Sequence, residues 1–296
     1  MEKEYWFVLI AAILYGTITA GGQFFVNQGL SLFEISLYRV LFISLLLLPV
    51  VLFKRELLIK RGMFLFFLVY GLIGALLELS QFGGIALGVP VAIVVLLLYS
   101  QPVWTIIIGR FMLNEKITLR KILAVFIALS GVFIILKSWD LQSPKSLTGV
   151  ISSLLGGIIL SLWVIWGRMS GINNQHYVTT TFGWTAFSVL CLLLLWPIVN
   201  IFIAEPTIIR ISTDFPLKYW FYFAIFGSIG GVIPHLFFYR GVQKVQAGVA
   251  GIILLLEPVS ATLLANILFN QPIGLNIIIG GVLILVSNYL VIQNPE

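Results

Sequence analysis

Residues 247–269 read AGVAGIILLLEPVSATLLANILF, an apolar run of 23 residues broken near its centre by an acid and a proline. A bilayer core about 30 Å thick takes roughly 20 apolar residues in one helix, so the run has the length of a single crossing. At 1.5 Å per residue, Glu257 lies about 15 Å along that helix from Ala247, which places a carboxyl at the midplane. Pro258 follows immediately and cannot donate the backbone hydrogen bond that a regular helix needs.

The rest of the chain has the same character. Of its 296 residues, 60% are hydrophobic and 9% charged, and the mean hydropathy is +1.11. Soluble domains carry about 25% charged residues, so this composition describes an integral membrane protein. Lipid offers the backbone no partners, which makes helices the expected spanning element, and the alternation of a membrane barrel is missing. Apolar runs bounded by charge, proline or polar clusters fall at about 6–26, 34–53, 64–86, 91–112, 119–137, 147–168, 178–202, 219–240, 247–269 and 273–292. The expected fold is an all-α integral membrane protein with ten transmembrane helices. Only the connections 138–146 and 203–218 are longer than a turn or two, so no soluble domain is expected. The first run lacks a small-residue cleavage site and reads as a retained helix rather than a signal peptide.

Cation placement tests the helix count. With both termini cytoplasmic, Lys3, Lys54, Arg55, Lys60, Arg61, Arg110, Lys116, Arg120, Lys121, Arg168, Arg240 and Lys244 fall inside. Lys137, Lys145, Arg210 and Lys218 fall outside, and Arg39 lies within the second helix. Twelve against four is the positive-inside bias of a correctly threaded chain. The net charge of +6 is then a topology signal, and its spread over short loops argues against nucleic-acid binding. Cys191 is the only cysteine and allows no intrachain disulfide. His176 and His235 are too few for a His-rich metal site, so neither a metal nor a cofactor is expected. No Walker-type glycine loop is present, which argues against direct nucleotide drive.

The chain also resembles itself. A shift of 156 residues lays YGLIG (70–74) on FGSIG (226–230), Gln101-Pro102-Val103 on Glu257-Pro258-Val259, and Asn114 on Asn270. A shift of 148 lays LLLLP (45–49) on LLLWP (193–197) and Tyr15 on Trp163. These shifts define two five-helix repeats, 1–138 and 147–292. Five is odd, so the repeats must be inverted with respect to each other. Loop 110–121 accordingly carries four cations whereas its counterpart 266–277 carries none. Inverted repeats suit alternating access, in which two similar halves open a midplane site to each side in turn.

These features resemble the EamA family of the drug/metabolite transporter superfamily. The resemblance rests on Tyr38-Arg39-Val40, on IALGVPVAIVVLLLYSQPVWTIIIGRFMLNEKIT (85–118), and on GVQKVQAGVAGIILLLEPVSATLLANILFNQPIG (241–274). Asn114-Glu115 fits the family's Gly-Glu element loosely, and Asn270-Gln271 departs from it by losing the acid. The resemblance implies a ten-helix carrier with a central cavity, commonly an exporter. Its substrates would be amino acids, nucleobases or nucleosides, vitamins, other metabolites or lipophilic cations. It also implies a structural or gating salt bridge for Arg39.

Ionisable groups within a span are costly and mark candidate sites. Glu257 and its counterpart Gln101 stand at the same depth, and Glu257 is a candidate for binding an amine or exchanging a proton. Gly71, Gly74, Glu78 and Gln81 form one small-and-polar helical stripe. His235 shares a stripe with Ser228, Gly231 and Tyr239. Tyr15, Trp163 and Tyr99 are aromatic lining candidates able to stack or make cation–π contacts. Pro102, Pro234 and Pro258 are candidate bends. Arg39, about 9 Å into its helix, is within snorkelling reach of the outer interface. Trp6, Trp139, Trp184, Trp196, Tyr219 and Trp220 read as interface-belt anchors. Packing is an alternative for each of these residues.

A pocket with acids, amides and aromatics but few cations favours zwitterionic or amine-bearing metabolites over phosphates. The expected partners are a small-molecule substrate, the lipid of a plasma or inner membrane, and protons as coupling ions, with the chain a monomer or weak dimer. An intramembrane enzyme would need a metal or nucleophile motif, and none is present. A channel would need an oligomeric ring or a re-entrant loop.

Overall fold

The computed structural model describes residues 3–86, 97–135, 144–203, 205–269 and 274–292. The first part of segment 91–112, most of loop 138–146 and Asn270-Gln271 lie outside them. Among the described residues every regular element is helical. The helices are α1 (Lys3–Asn27), α2 (Leu32–Phe53), α3 (Phe64–Ala86), α4 (Gln101–Met112), α5 (Leu119–Ile135) and α6 (Pro144–Ile172). They continue with α7 (Tyr177–Phe202), α8 (Leu217–Gly227), α9 (Ile233–Val242), α10 (Ala247–Leu254), α11 (Glu257–Phe269) and α12 (Leu275–Ile292). Six described stretches are long and apolar enough to cross a membrane: Lys3–Asn27, Leu32–Phe53, Arg55–Gln81, Leu147–Ile172, Tyr177–Phe202 and Leu217–Val242. Ala247–Ala261 and Ile278–Val291 are shorter apolar helices.

Local chemistry sets the helix starts. Ser31 and Glu34 form a reciprocal capping box ahead of α2, and the His176 side chain accepts from the Val178 amide at the start of α7. The prolines mark the interruptions. Pro102 stands in the first turn of α4, where its missing N–H leaves no vacancy in the helix ladder. Segment 247–269 is split by a turn at Leu255-Leu256, and α11 restarts at Glu257-Pro258. Between α8 and α9 the chain runs through a π-helical turn, Ser228–Val232, just before Pro234. Such turns carry one residue too many for the α ladder and leave carbonyls open to outside donors.

Helix α1 packs on α9 and α11, and α6 packs on α3 and α4. Helix α7 lies against both α2 and α3, α8 against α2, and α5 against α12. Without a hydrophobic drive in lipid, such contacts depend on close approach by small residues. Gly71 abuts Phe187 of α7, Gly227 abuts Phe42 of α2, and Gly131 of α5 abuts the Gly280 carbonyl of α12. A methyl group at any of these positions would collide with its neighbour.

Hydrogen bonds tie the two ends of the bundle. At the end that holds the N-terminus, Lys244 pairs with Glu4, Arg168 donates to the Gln243 carbonyl, and Thr179 donates to the Leu57 carbonyl. The Glu115 carboxylate there accepts the amides of Ala247 (2.6 Å) and Gly248 (3.0 Å), capping α10 from the α4–α5 loop. At the far end, buried Glu34 accepts from Arg210, Ser212 and Ser31, while Ser31 donates to the Arg210 carbonyl. Glu34 raises the Arg210 guanidinium pKa above its ordinary value through that hydrogen bond and its charge.

Candidate functional site

The interruption of 247–269 delivers Glu257 to the centre of the bundle, where a cavity of about 50 Å³ lies between the helices. That is room for a few waters and far below the roughly 300–1,000 Å³ of a small-molecule pocket. Glu257, from the start of α11, is partly exposed to the cavity and has no ion pair among the described residues. Tyr99, in the turn before α4, interacts with its side chain.

Opposite stands a closed charge pair. Arg39 of α2 engages Glu78 of α3 along one edge of its guanidinium, with Nε donating to Oε2 at 3.2 Å and Nη2 donating to Oε1. Its third nitrogen, Nη1, donates to the Gly230 carbonyl in the π turn at 3.3 Å. Arg39 is 3% exposed, so the expectation that it snorkels to the outer interface is corrected. The carboxylate one helix away and an open carbonyl in the π turn satisfy it in place. His235 Nδ1 sits 2.6 Å from the Gly231 carbonyl. That oxygen can only accept, so Nδ1 carries the proton there.

Aromatics close the remaining wall. Trp163 of α6 stacks on Phe238 at 4.8 Å between centroids and stands edge-on to Trp184 at 5.7 Å. Tyr15 of α1 is edge-on to His235 at 5.2 Å and to Trp163 at 6.5 Å. Trp184, expected at the interface, is 1% exposed and lines the cavity. Counting residues from a helix end gives its depth but not which way it faces.

Of the residues singled out from sequence, Glu257, Glu78, Gln81, His235, Tyr15, Trp163, Tyr99 and Arg39 meet around this cavity. Gln101 does not line it. Gln101 is fully buried against Gly251 of α10, with Nε2 donating to Thr105. Tyr239 also lies off the wall, its hydroxyl 2.6 Å from that of Tyr70. Pro102, Pro234 and Pro258 stand at the interruptions rather than on the lining.

Two larger cavities open toward the far end. One of about 550 Å³ lies between α1, α8 and α11, with Phe24, Phe25 and Phe226 on its wall. The other, about 290 Å³, lies between α2, α3, α6 and α7.

Among known proteins, an uncharacterized transporter of Clostridium kluyveri is 24% identical over 300 residues, covering 98% of this chain and 93% of its own. The uncharacterized transporter YetK of Bacillus subtilis is 27% identical over 197 residues, covering 63% of this chain and 57% of its own. One crystal structure shares the fold with a TM-score of 0.77 at 15% identity, covering 99% of this chain and 98% of that one. The family model of the EamA-like transporters matches residues 2–137 and 147–293, and the chain belongs to that family of multi-pass membrane transporters.

Proposed function

We propose that the protein is a secondary transporter, working as an exporter, of small amine-bearing or zwitterionic metabolites such as amino acids. It moves them by alternating access between two inverted five-helix repeats. The observation that carries this reading is the charge balance of the cavity. Arg39 and Glu78 neutralise each other, and Glu257 contributes one carboxyl that has no ion pair among the described residues, beside aromatic faces. A carboxylate in a desolvated, aromatic-walled site attracts a cationic group, and the rings add cation–π attraction. When no substrate is bound, the same carboxyl can hold a proton, which makes protons the natural coupling ion.

Several observations support the repeat reading. The family model matches two stretches of nearly equal length. Exchanging the halves exchanges the contacts of α1 with α9 and α11 for those of α6 with α3 and α4. Ser31 and Thr179, 148 residues apart, make crossed hydrogen bonds at opposite ends of the bundle, Ser31 before α2 donating to the Arg210 carbonyl after α7, and Thr179 of α7 donating to the Leu57 carbonyl after α2. The ten-helix threading with both termini cytoplasmic in a plasma membrane follows from this reading and from the cation bias.

Purified protein in liposomes, assayed with a panel of amino acids, amines and nucleosides, tests the proposal. Saturable uptake into preloaded vesicles, confined to compounds with an amine, is the expected result. Voltage-driven flux that does not saturate would instead indicate a channel.

A further inference from the structure

We infer that Tyr15 and Trp163 form a two-donor clamp for a carbonyl or carboxylate group of the substrate, with one donor from each half of the chain. This inference rests on the carrier reading above and specifies the second group that the substrate must carry.

Tyr15 is 4% exposed and Trp163 3%, both line the central cavity, and neither Tyr15 OH nor Trp163 Nε1 has a hydrogen-bond partner among the described residues. Buried donors without partners are uncommon in folded proteins and call for a cause. The neighbouring Tyr70 hydroxyl, by contrast, is held by both Tyr239 and the Trp163 carbonyl. Gln101 Oε1, Ser36 Oγ, Trp166 Nε1 and both polar atoms of Asn288 are buried without partners among the described residues too, but none of these residues lines the cavity.

An indole N–H only donates, so its complement is an acceptor atom. Arg39 would be the usual partner for a substrate acid, yet its three nitrogens are already held by Glu78 and the Gly230 carbonyl. An acceptor group on the substrate is therefore met by the neutral donors, while its amine goes to Glu257. The two rings are fixed by their neighbours, Trp163 by Phe238 and Tyr15 by His235, so the donors are pre-positioned. They occupy repeat-equivalent positions, 148 residues apart.

Isothermal titration of purified protein with phenylalanine, phenylalaninamide and 2-phenylethylamine tests the clamp. The three share a ring and an amine, and only the last lacks the acceptor. Wild type should bind the first two at least tenfold more tightly than 2-phenylethylamine. Tyr15→Phe and Trp163→Phe should each weaken the first two about tenfold and leave 2-phenylethylamine within twofold, the scale of one hydrogen bond to a ligand. Equal weakening of all three compounds, or of none, overturns the clamp. Glu257→Gln separates the two proposals, because it should weaken all three compounds. If it weakens none while the ring variants still discriminate, the clamp stands and the amine site is wrong. If wild type binds none of the three, both proposals fall.

Discussion

Replacing Glu115 with alanine should open the N-terminal end of the bundle. Its two carboxylate oxygens accept the amides of Ala247 and Gly248 at 2.6 and 3.0 Å, joining the α4–α5 loop of the first half to the first turn of α10 in the second. A carboxylate there satisfies two orphan helix donors and complements the helix dipole. Losing such a cap costs about 2 kcal/mol, which is roughly a 30-fold shift in an equilibrium. Ile106 reports on that shift, since it is 8% exposed and lies beneath Gly248, beside Glu115. In an Ile106→Cys protein with Cys191 replaced by alanine, the modification rate by an impermeant thiol reagent scales with the open population. Glu115→Ala should raise that rate roughly 30-fold, and Glu115→Gln, which retains one acceptor oxygen, should raise it less. An unchanged rate in the alanine variant, with folding intact, would refute the idea that this cap holds the end closed.

Two further outcomes are expected. Glu78→Leu leaves the Arg39 guanidinium buried without its counter-ion and should cost about 3–5 kcal/mol, read as a lower melting temperature in detergent. The Arg39→Leu/Glu78→Leu double variant should recover most of that loss, and a double variant as unstable as the single would show that the pair does not act as a unit. Glu34→Ala strips acceptors from Ser31, Arg210 and Ser212, so limited proteolysis should cut the 205–216 loop faster. Arg210→Ala should have a smaller effect, because the Arg210 side chain is 48% exposed and the pair is screened by water. Equal cutting rates for both variants would contradict this ranking.

Helix positions were legible from sequence because charge, proline and polar clusters bound each apolar run. The segment 64–86 coincides with α3, and 6–26, 34–53, 119–137, 147–168, 178–202 and 273–292 differ from the observed helices by a few residues at their ends, whereas 219–240 and 247–269 are each divided into two helices and only 97–112 of the segment 91–112 is described. The interruption at Glu257-Pro258 was equally legible, since proline cannot continue the hydrogen-bond ladder. The cavity was legible where desolvation alone argues, as at Glu78, Glu257 and His235. Other features were hidden because they depend on rotation and on distant partners. Repeat symmetry matched the backbone of Gln101 to that of Glu257, yet a side chain that can reach Thr105 turns into a helix contact. Arg39 and Glu78 are 39 residues apart, and nothing local announces their pairing. The role of Glu115 required knowing that α10 begins beside it.

The most direct test of the central claim is the uptake of an amine-bearing substrate into liposomes by wild type and Glu257→Gln, measured across a pH gradient. The account predicts saturable, gradient-dependent uptake by wild type, and a variant that folds but loses both affinity for the amine and the response to the gradient. Equal uptake by the two proteins, with the same dependence on pH, would contradict it.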